Sequence, residues 1–325
     1  MTYVEQLLDQ YSEKFHKSIT CPLTNELCKG TLPDYKLFTY LVQDLKFFQY
    51  SLNLFGNALV HCSNPESAIV LGKQIGFISN SENTYFFKCL DQLRNESKEE
   101  IEEHAKSMLN DPPPTLPAVK KYLDILEYLT FKSTSYAEII TFMFVMEKVY
   151  QGWAEYHLEN TPETKSLAYK HDEWVVLHSG PEFGAWCDFL AKEVNRVGID
   201  QESKAKCSEF FEKTLDLEIE FFDACNQAPR PMITKYFTKV SVRFNPFSEA
   251  ARPVRLFMGR IPTASKSGCS IDYKILTGNE EPLVKVTFKD KAEMEINPSE
   301  KRFEDLKAFF DGHSRKLALK DAISE

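Results

Sequence analysis

An all-α multi-helical bundle over residues 1–228, followed by a small α/β domain over residues 232–325, is the architecture this sequence predicts. Three observations predict it. Every segment before "NQAPRPMITKYF" that can be phased has apolar residues at three- and four-residue steps. At that point two prolines within three residues break the pattern, so the joint is placed at 229–231. Beyond it, β-branched alternation begins and the charge changes sign. Residues 1–231 hold 22 Lys and Arg against 35 Asp and Glu, a balance of −13, while residues 232–325 hold 17 against 13, a balance of +4. The two parts are expected to meet different partners.

The helical elements follow in order. Stripes run over Val4–His16, then from a helix opened by Pro33, where Leu37, Tyr40, Leu41, Phe47, Phe48, Leu52, Phe55 and Leu59 share a face. Further stripes cover Ser67–Leu93, Leu116–Thr130, Tyr136–Leu158, Pro181–Val197 and Gln201–Ala224, with breaks such as "NDPPPTLP" between them. After the joint, "KVSVRF", "VKVTFKD" and "AEMEIN" read as three strands, and "SEAARPVRLFMGR" and "SEKRFEDLKAFFDGHSRKLA" as two helices.

Composition closes off several function classes. The chain has 325 residues, 43% hydrophobic and 13% aromatic, which suits two folded domains. Apolar runs such as Ile139–Met146 are far shorter than the ~20 residues a spanning helix needs, so a soluble protein with no membrane contact is expected. The N-terminal stretch lacks both a hydrophobic signal core and an Arg-rich, acid-free presequence. The eight cysteines form no CxxC pair and no zinc-like spacing, and are expected to be reduced thiols. With no P-loop, no GxGxxG and no His/carboxylate metal box, neither a metal nor a cofactor is expected.

The informative residues are acids that fall on apolar stripes, because a carboxylate is costly to bury unless it is paired, protonated or hydrogen-bonded. Asp44 lies among Tyr40, Leu41, Phe47 and Phe48; Glu147 interrupts "TFMFVMEKVYQGW" between Met143, Phe144 and Tyr150; Glu218 lies among Phe211, Leu215, Phe221 and Phe222. Any one of them fits a helix cap, a lysine pair or a wet opening in the bundle equally well. Three in aromatic settings point to a pocket. Tyr122, phased with Val119, Ile125 and Leu126, is either a core tyrosine or a phenol in that pocket. His178, before a Ser-Gly-Pro break, is either a ligand-facing or a plain helix-terminal histidine. Cys28 has no partnering base in sight and reads as packing.

Over about residues 10–226 the chain resembles the TenA/thiaminase II family, whose PQQC-like members share the haem oxygenase-like helical fold. The residues that carry the resemblance are "CPLTNELCKGTLPDYKLFTYLVQD", "YLDIL" at Tyr122, "YAEIITFMFVMEKVY", "HDEWVVLHSGPEFGAWCDFL" and "DLEIEFF". The resemblance implies an aromatic-lined pocket that binds an aminopyrimidine of thiamine breakdown and hydrolyses its exocyclic aminomethyl group to hydroxymethyl. It assigns Asp44 to the amino edge of the pyrimidine, Tyr122 to the pocket wall, and Glu218 to a ring-nitrogen proton with Phe221 beside it. Glu147 takes the place of the cysteine nucleophile of the better-known branch, as base to a water or as nucleophile. Phe47 and His178 stand where many members have tyrosine. Family members are often homo-oligomers, so self-association of the helical domain is expected, with a cytoplasmic address for that domain.

From "MITKYFTKVSVRFNPFSEAARPVRLFMGRIPT" through "VKVTFKDKAEMEINPSEKRFEDL" the chain resembles the mitochondrial large-subunit ribosomal protein mL53 family. That resemblance implies a thioredoxin-like fold without the redox pair, consistent with Cys269 standing alone there. It makes a basic first helix carrying Arg252, Arg255 and Arg260 a surface for ribosomal RNA or neighbouring ribosomal proteins, against the plainer reading of a solvated charged face. The address becomes mitochondrial if this domain sets it. Met232 at its start suggests two reading frames joined, by fusion or in the gene model. Besides an aminopyrimidine hydrolase with a ribosomal tail, two readings stay open: a ribosomal subunit with a non-catalytic helical extension, and a helical protein that binds a small molecule without turnover.

Overall fold

A computed structural model describes residues 1–96, 115–160, 167–228, 232–261, 268–278 and 280–324. These fall into two compact units, the first ending at residue 228 and the second beginning at residue 232. The predicted joint at 229–231 and most of the "NDPPPTLP" break lie outside the described residues.

The first unit is helical throughout. It opens with α1 (Tyr3–Gln10), α2 (Ser12–Ile19), α3 (Pro22–Cys28) and α4 (Asp34–His61). The single Val4–His16 stripe is thus two helices, because Tyr11 leaves helical geometry between them. Thr2 and Glu5 form a capping box that fixes the start of α1. Pro33 is the residue just before α4 rather than its first, with extended backbone that starts the helix cleanly.

Next come α5 (Pro65–Phe77), a π-helical turn at Ile78–Glu82, and α6 (Asn83–Glu96), where one long stripe was expected. The Asn64 carboxamide accepts from the amides of Glu66 and Ser67 and caps α5. The unit continues with α7 (Pro117–Phe131), α8 (Tyr136–Asn160), α9 (Tyr169–Leu177), α10 (Gly180–Val197) and α11 (Gln201–Gln227). Gly180, at φ 86°, lets the chain turn from α9 into α10.

α8 explains its own apolar sequence. It packs against α2, α3, α4, α10 and α11, so residues all round it from Ile139 to Met146 are buried. α4 packs on α7, and α7 on α11, which brings the inner faces of α4, α7, α8 and α11 together.

The second unit contains β1 (Phe237–Phe244), α12 (Ala251–Met258), β2 (Ser270–Ile275), β3 (Leu283–Phe288), β4 (Glu293–Ile296) and α13 (Phe303–Ser324). The sheet order is β2-β1-β3-β4, with β1 and β2 parallel and the other pairs antiparallel. Val240, Val242, Val284 and Val286 form a core with Val254 and Phe257 of α12 and Leu306 and Phe310 of α13. The three strands read from sequence are β1, β3 and β4. β2 is an addition to them, an edge strand with five of its six residues exposed, so burial imposes little apolar signal on it.

Candidate active site

Five of the helices, α6 with Phe86 among them, aim side chains at one cavity. α4 contributes Asp44, Phe47, Phe48, Ser51 and Phe55 at helical steps; α7 gives Tyr122; α8 gives Met146, Glu147 and Tyr150; α11 gives Glu218 and Phe221. His178, just past α9, and Ile78 and Phe86 complete the lining. The empty space is about 530 Å³ counting its open mouth, and its enclosed part is narrow. All seven pocket residues singled out from sequence, Asp44, Phe47, Tyr122, Glu147, His178, Glu218 and Phe221, line it.

The three acids sit in different polar settings. Glu218 is buried, and its Oε1 accepts a 2.5 Å hydrogen bond from the Tyr122 hydroxyl. Its Oε2 has no hydrogen-bond partner in the protein. Burial pushes its carboxyl up to about 8; the Tyr122 donor opposes this, and repulsion from Asp44 and Glu147 adds to it. Asp44 Oδ1 accepts from the Tyr150 hydroxyl at 3.3 Å. Burial raises Asp44 to about 7, opposed by the neighbouring Tyr150 and Tyr40 hydroxyls.

Glu147 is half-buried and lines the cavity. Burial raises it to about 7. The Trp186 N–H makes no hydrogen bond of proper geometry, yet its dipole favours the charged form. Among the described residues Glu147 carries no ion pair, unlike the more deeply buried Glu193, which Arg196 holds at 2.6 Å.

His178 is a buried neutral ring. Its Nδ1 lies 2.8 Å from the Trp174 carbonyl, which only accepts, so Nδ1 carries the proton and Nε2 the lone pair. Burial pulls its pKa down to about 4. Trp174, Tyr150 and Phe183 surround it with ring centroids 4.2, 4.9 and 5.1 Å away. Phe47, Phe142 and Phe221 pack round Tyr122 at 5.0, 5.7 and 6.2 Å.

A relay absent from the sequence reading supports Asp44. The Trp174 N–H donates to the Tyr40 hydroxyl at 2.9 Å, Tyr40 donates to Tyr150 at 3.3 Å, and Tyr150 donates to Asp44. The signal was there: Tyr40 is four residues before Asp44 and Tyr150 three after Glu147, both hydroxyls on apolar stripes. Cys28 is buried with its thiol pKa raised by burial, as a packing residue's would be. Among the described residues no group of His, Cys, Asp and Glu is arranged to hold a metal ion, and no helix is long and apolar enough to cross a membrane.

The predicted basic surface differs from expectation in one respect. Arg252 and Arg255 are exposed on α12, but Arg260 lies beyond the helix end, its guanidinium 5.8 Å from the Phe303 ring centre. Gly259 and Arg260 form a turn there, so the three arginines do not share one helix.

Comparison with known proteins accounts for both units. The TENA/THI-4/PQQC family profile matches residues 6–228, and the 39S ribosomal protein L53/MRP-L53 profile matches residues 244–291. The large ribosomal subunit protein mL53 of Saccharomyces cerevisiae is 49% identical over 95 residues, 28% of this chain and 97% of that protein. Among solved structures, a TenA homologue from Pyrococcus furiosus aligns with a TM-score of 0.58 at 19% identity, covering 69% of this chain and 99% of that one. A domain of unknown function with a heme oxygenase-like fold from Shewanella denitrificans aligns with a TM-score of 0.52 at 12% identity, covering 68% and 91%. The chain therefore belongs to the TENA/THI-4/PQQC family, with its heme oxygenase-like helical fold, and carries a C-terminal region that belongs to the mL53 family.

Proposed function

We propose that the helical unit hydrolyses the exocyclic aminomethyl group of an aminopyrimidine, as in salvage of thiamine breakdown products. The observation that carries this reading is the convergence of Asp44, Glu147 and Glu218, from three helices, on one aromatic cavity. Asp44 accepts from the amino edge of the ring and orients it. Glu218, protonated near neutrality and held at Oε1 by Tyr122, donates from Oε2 to a ring nitrogen. Withdrawal of electrons by the protonated ring makes the exocyclic carbon electrophilic. Glu147 takes a proton from water as the new C–O bond forms, and the C–N bond of the aminomethyl group, which enters as its ammonium form, breaks with its electron pair leaving on neutral ammonia. The raised Glu147 pKa suits a base poised at neutral pH better than a nucleophile. Phe47, Tyr122 and Phe221 supply aromatic walls, and neutral His178 an imidazole lone pair.

The test is ammonia release by the full chain from an aminomethyl-substituted aminopyrimidine. Turnover that disappears in Glu147→Gln and Glu218→Gln supports the assignment. Binding without ammonia release by the wild-type chain favours a binding protein.

For the C-terminal unit we propose assembly with RNA and proteins of the mitochondrial large ribosomal subunit, and hence a mitochondrial address for the chain. Its 49% identity to the yeast mL53 protein supports this. A thioredoxin-like arrangement is proposed on the order β-α-β-β-β-α and the sheet order β2-β1-β3-β4. Residues 1–228 and 232–325 would then act as separate domains. Co-sedimentation of the full chain with mitochondrial ribosomes tests the assembly. Its absence, with the chain spread through the cytoplasm, would leave the helical domain with the address expected for it alone. Self-association of the helical domain is proposed from the family resemblance and is checked by light scattering.

A further inference from the structure

We propose that Phe247 is a base-stacking anchor through which the C-terminal unit grips an unpaired nucleotide of RNA, an inference that rests on the ribosomal reading of that unit. Phe247 is 97% exposed, at the turn between β1 and α12. Exposed apolar residues are ordinary when scattered. This one is held out by its surroundings. The Phe247 amide donates to Asn245 Oδ1 at 2.9 Å, and the Ser248 amide and hydroxyl donate to the Asn245 carbonyl at 3.1 and 2.8 Å. Pro246 restricts the backbone, and its carbonyl accepts from Arg255 Nη2 at 2.7 Å. The ring is thus presented on a turn with little freedom left to lose on binding.

Its setting favours RNA over an apolar protein pocket. Beside Pro246, the side chains next to it on the turn, Asn245, Ser248 and Glu249, are polar. Arg252 and Arg255 are exposed on the helix that follows, and Arg243 is exposed at the end of β1. Against the single acid Glu249, the local balance is positive, as is the +4 of residues 232–325. An aromatic face beside guanidinium groups fits a splayed-out base with its phosphates alongside. Arg255 has two parts in this: its contact with Pro246 positions the turn, and its charge faces the phosphate.

The experiment measures binding of the full chain to a fluorescein-labelled single-stranded RNA of about 12 nucleotides across a salt series, alongside co-sedimentation with mitochondrial ribosomes. Phe247→Ala is expected to weaken RNA binding roughly tenfold or more with an unchanged salt slope, because it removes stacking and no charge. Arg252→Gln is expected to flatten that slope by about 0.7. Phe247→Trp should keep the affinity and show quenched emission on adding RNA. The chain's own Trp153, Trp174 and Trp186 are buried in the helical unit, out of reach of a stacked base, and their emission is subtracted by titrating the wild-type chain in parallel. If Phe247→Ala binds RNA like wild type, the proposal is overturned; lost co-sedimentation in that variant would then identify a protein as the partner of Phe247. A wild-type chain that binds neither RNA nor ribosomes overturns the ribosomal reading itself.

Discussion

The Tyr122 hydroxyl donates a 2.5 Å hydrogen bond to Oε1 of Glu218, joining α7 to α11 inside the cavity. Both groups are buried, and the Tyr122 pKa is driven well above the usual phenol range, first by burial and then by the Glu218 charge. The phenol therefore keeps its proton and stays a donor. Oε2 is thus the oxygen open to a proton, on the side of the carboxyl away from the Tyr122 contact.

Tyr122→Phe should raise the Glu218 pKa further, since it deletes a donor that favours the carboxylate. The expected result is a fall in kcat of roughly 5- to 10-fold, from loss of about 1 kcal/mol of orienting interaction. The alkaline limb of the pH–rate profile should move to higher pH. A profile that keeps its alkaline limb in place would show that Tyr122 does not act through Glu218.

Glu147→Gln keeps shape and removes the base. General-base catalysis contributes about 10²- to 10⁴-fold, so kcat should drop on that scale while KM changes little. In the wild type, activity should rise with pH as Glu147 ionises near 7 and fall as Glu218 loses its proton near 8. These apparent values belong to the set of three interacting acids rather than to single residues. Steady-state rates between pH 5 and 9 check the shape, and wild-type turnover in Glu147→Gln would remove it from the chemistry.

The helical unit was legible because its stripes are long and its acids are rare on them. Phasing alone put Asp44, Glu147 and Glu218 on inner faces, since a helix fixes which side chains share a face. It could not show that those faces meet, because that depends on α4, α7, α8 and α11 packing over distances in sequence that no local pattern encodes. The Trp174–Tyr40–Tyr150 relay was missed for the same reason: its members are 134 and 110 residues apart. The break at Ile78–Glu82 was also invisible, since a π-helical turn inserts extra backbone without changing the apolar composition. Arg260 was misjudged because helix ends are weakly encoded, and α12 stops at Met258.

Gly152 offers a stability test away from the pocket lining. A Cβ there would lie 2.7 Å from Ile19 Cγ2 and 3.1 Å from Phe15 Cζ, so α8 approaches α2 as closely as it does because this residue has no side chain. Helix propensity alone would favour Gly152→Ala by about 1 kcal/mol. Overpacking costs about 1–3 kcal/mol, and Ile19 is β-branched with little room to rotate. The net expectation is a loss of roughly 1 kcal/mol, a Tm lower by about 2–4 °C, with kcat unchanged. A Tm raised by the substitution would mean that α2 yields at no cost.

The three cavity acids also make a prediction about stability and pH. Each binds its proton more tightly in the folded state than in the unfolded chain, where Asp and Glu titrate near 4. Between pH 4 and about 8 the native state therefore holds more protons than the unfolded state, and stability falls as pH rises. The contribution is fully present below the unfolded pKa and is lost as pH passes the folded values of about 7 to 8. His178 works in the opposite sense: held near 4, it costs stability as pH falls below its ordinary value of 6.5. Subtracting one curve from another separates the two. The Tm of wild type minus that of Glu218→Gln should decline steadily from pH 5 to 8 and then level off, because the amide has no proton to lose and His178 is common to both chains. A difference that stays flat across that range would mean that Glu218 is already ionised in the folded protein at pH 5, and a group in that state has no proton to give to a ring nitrogen.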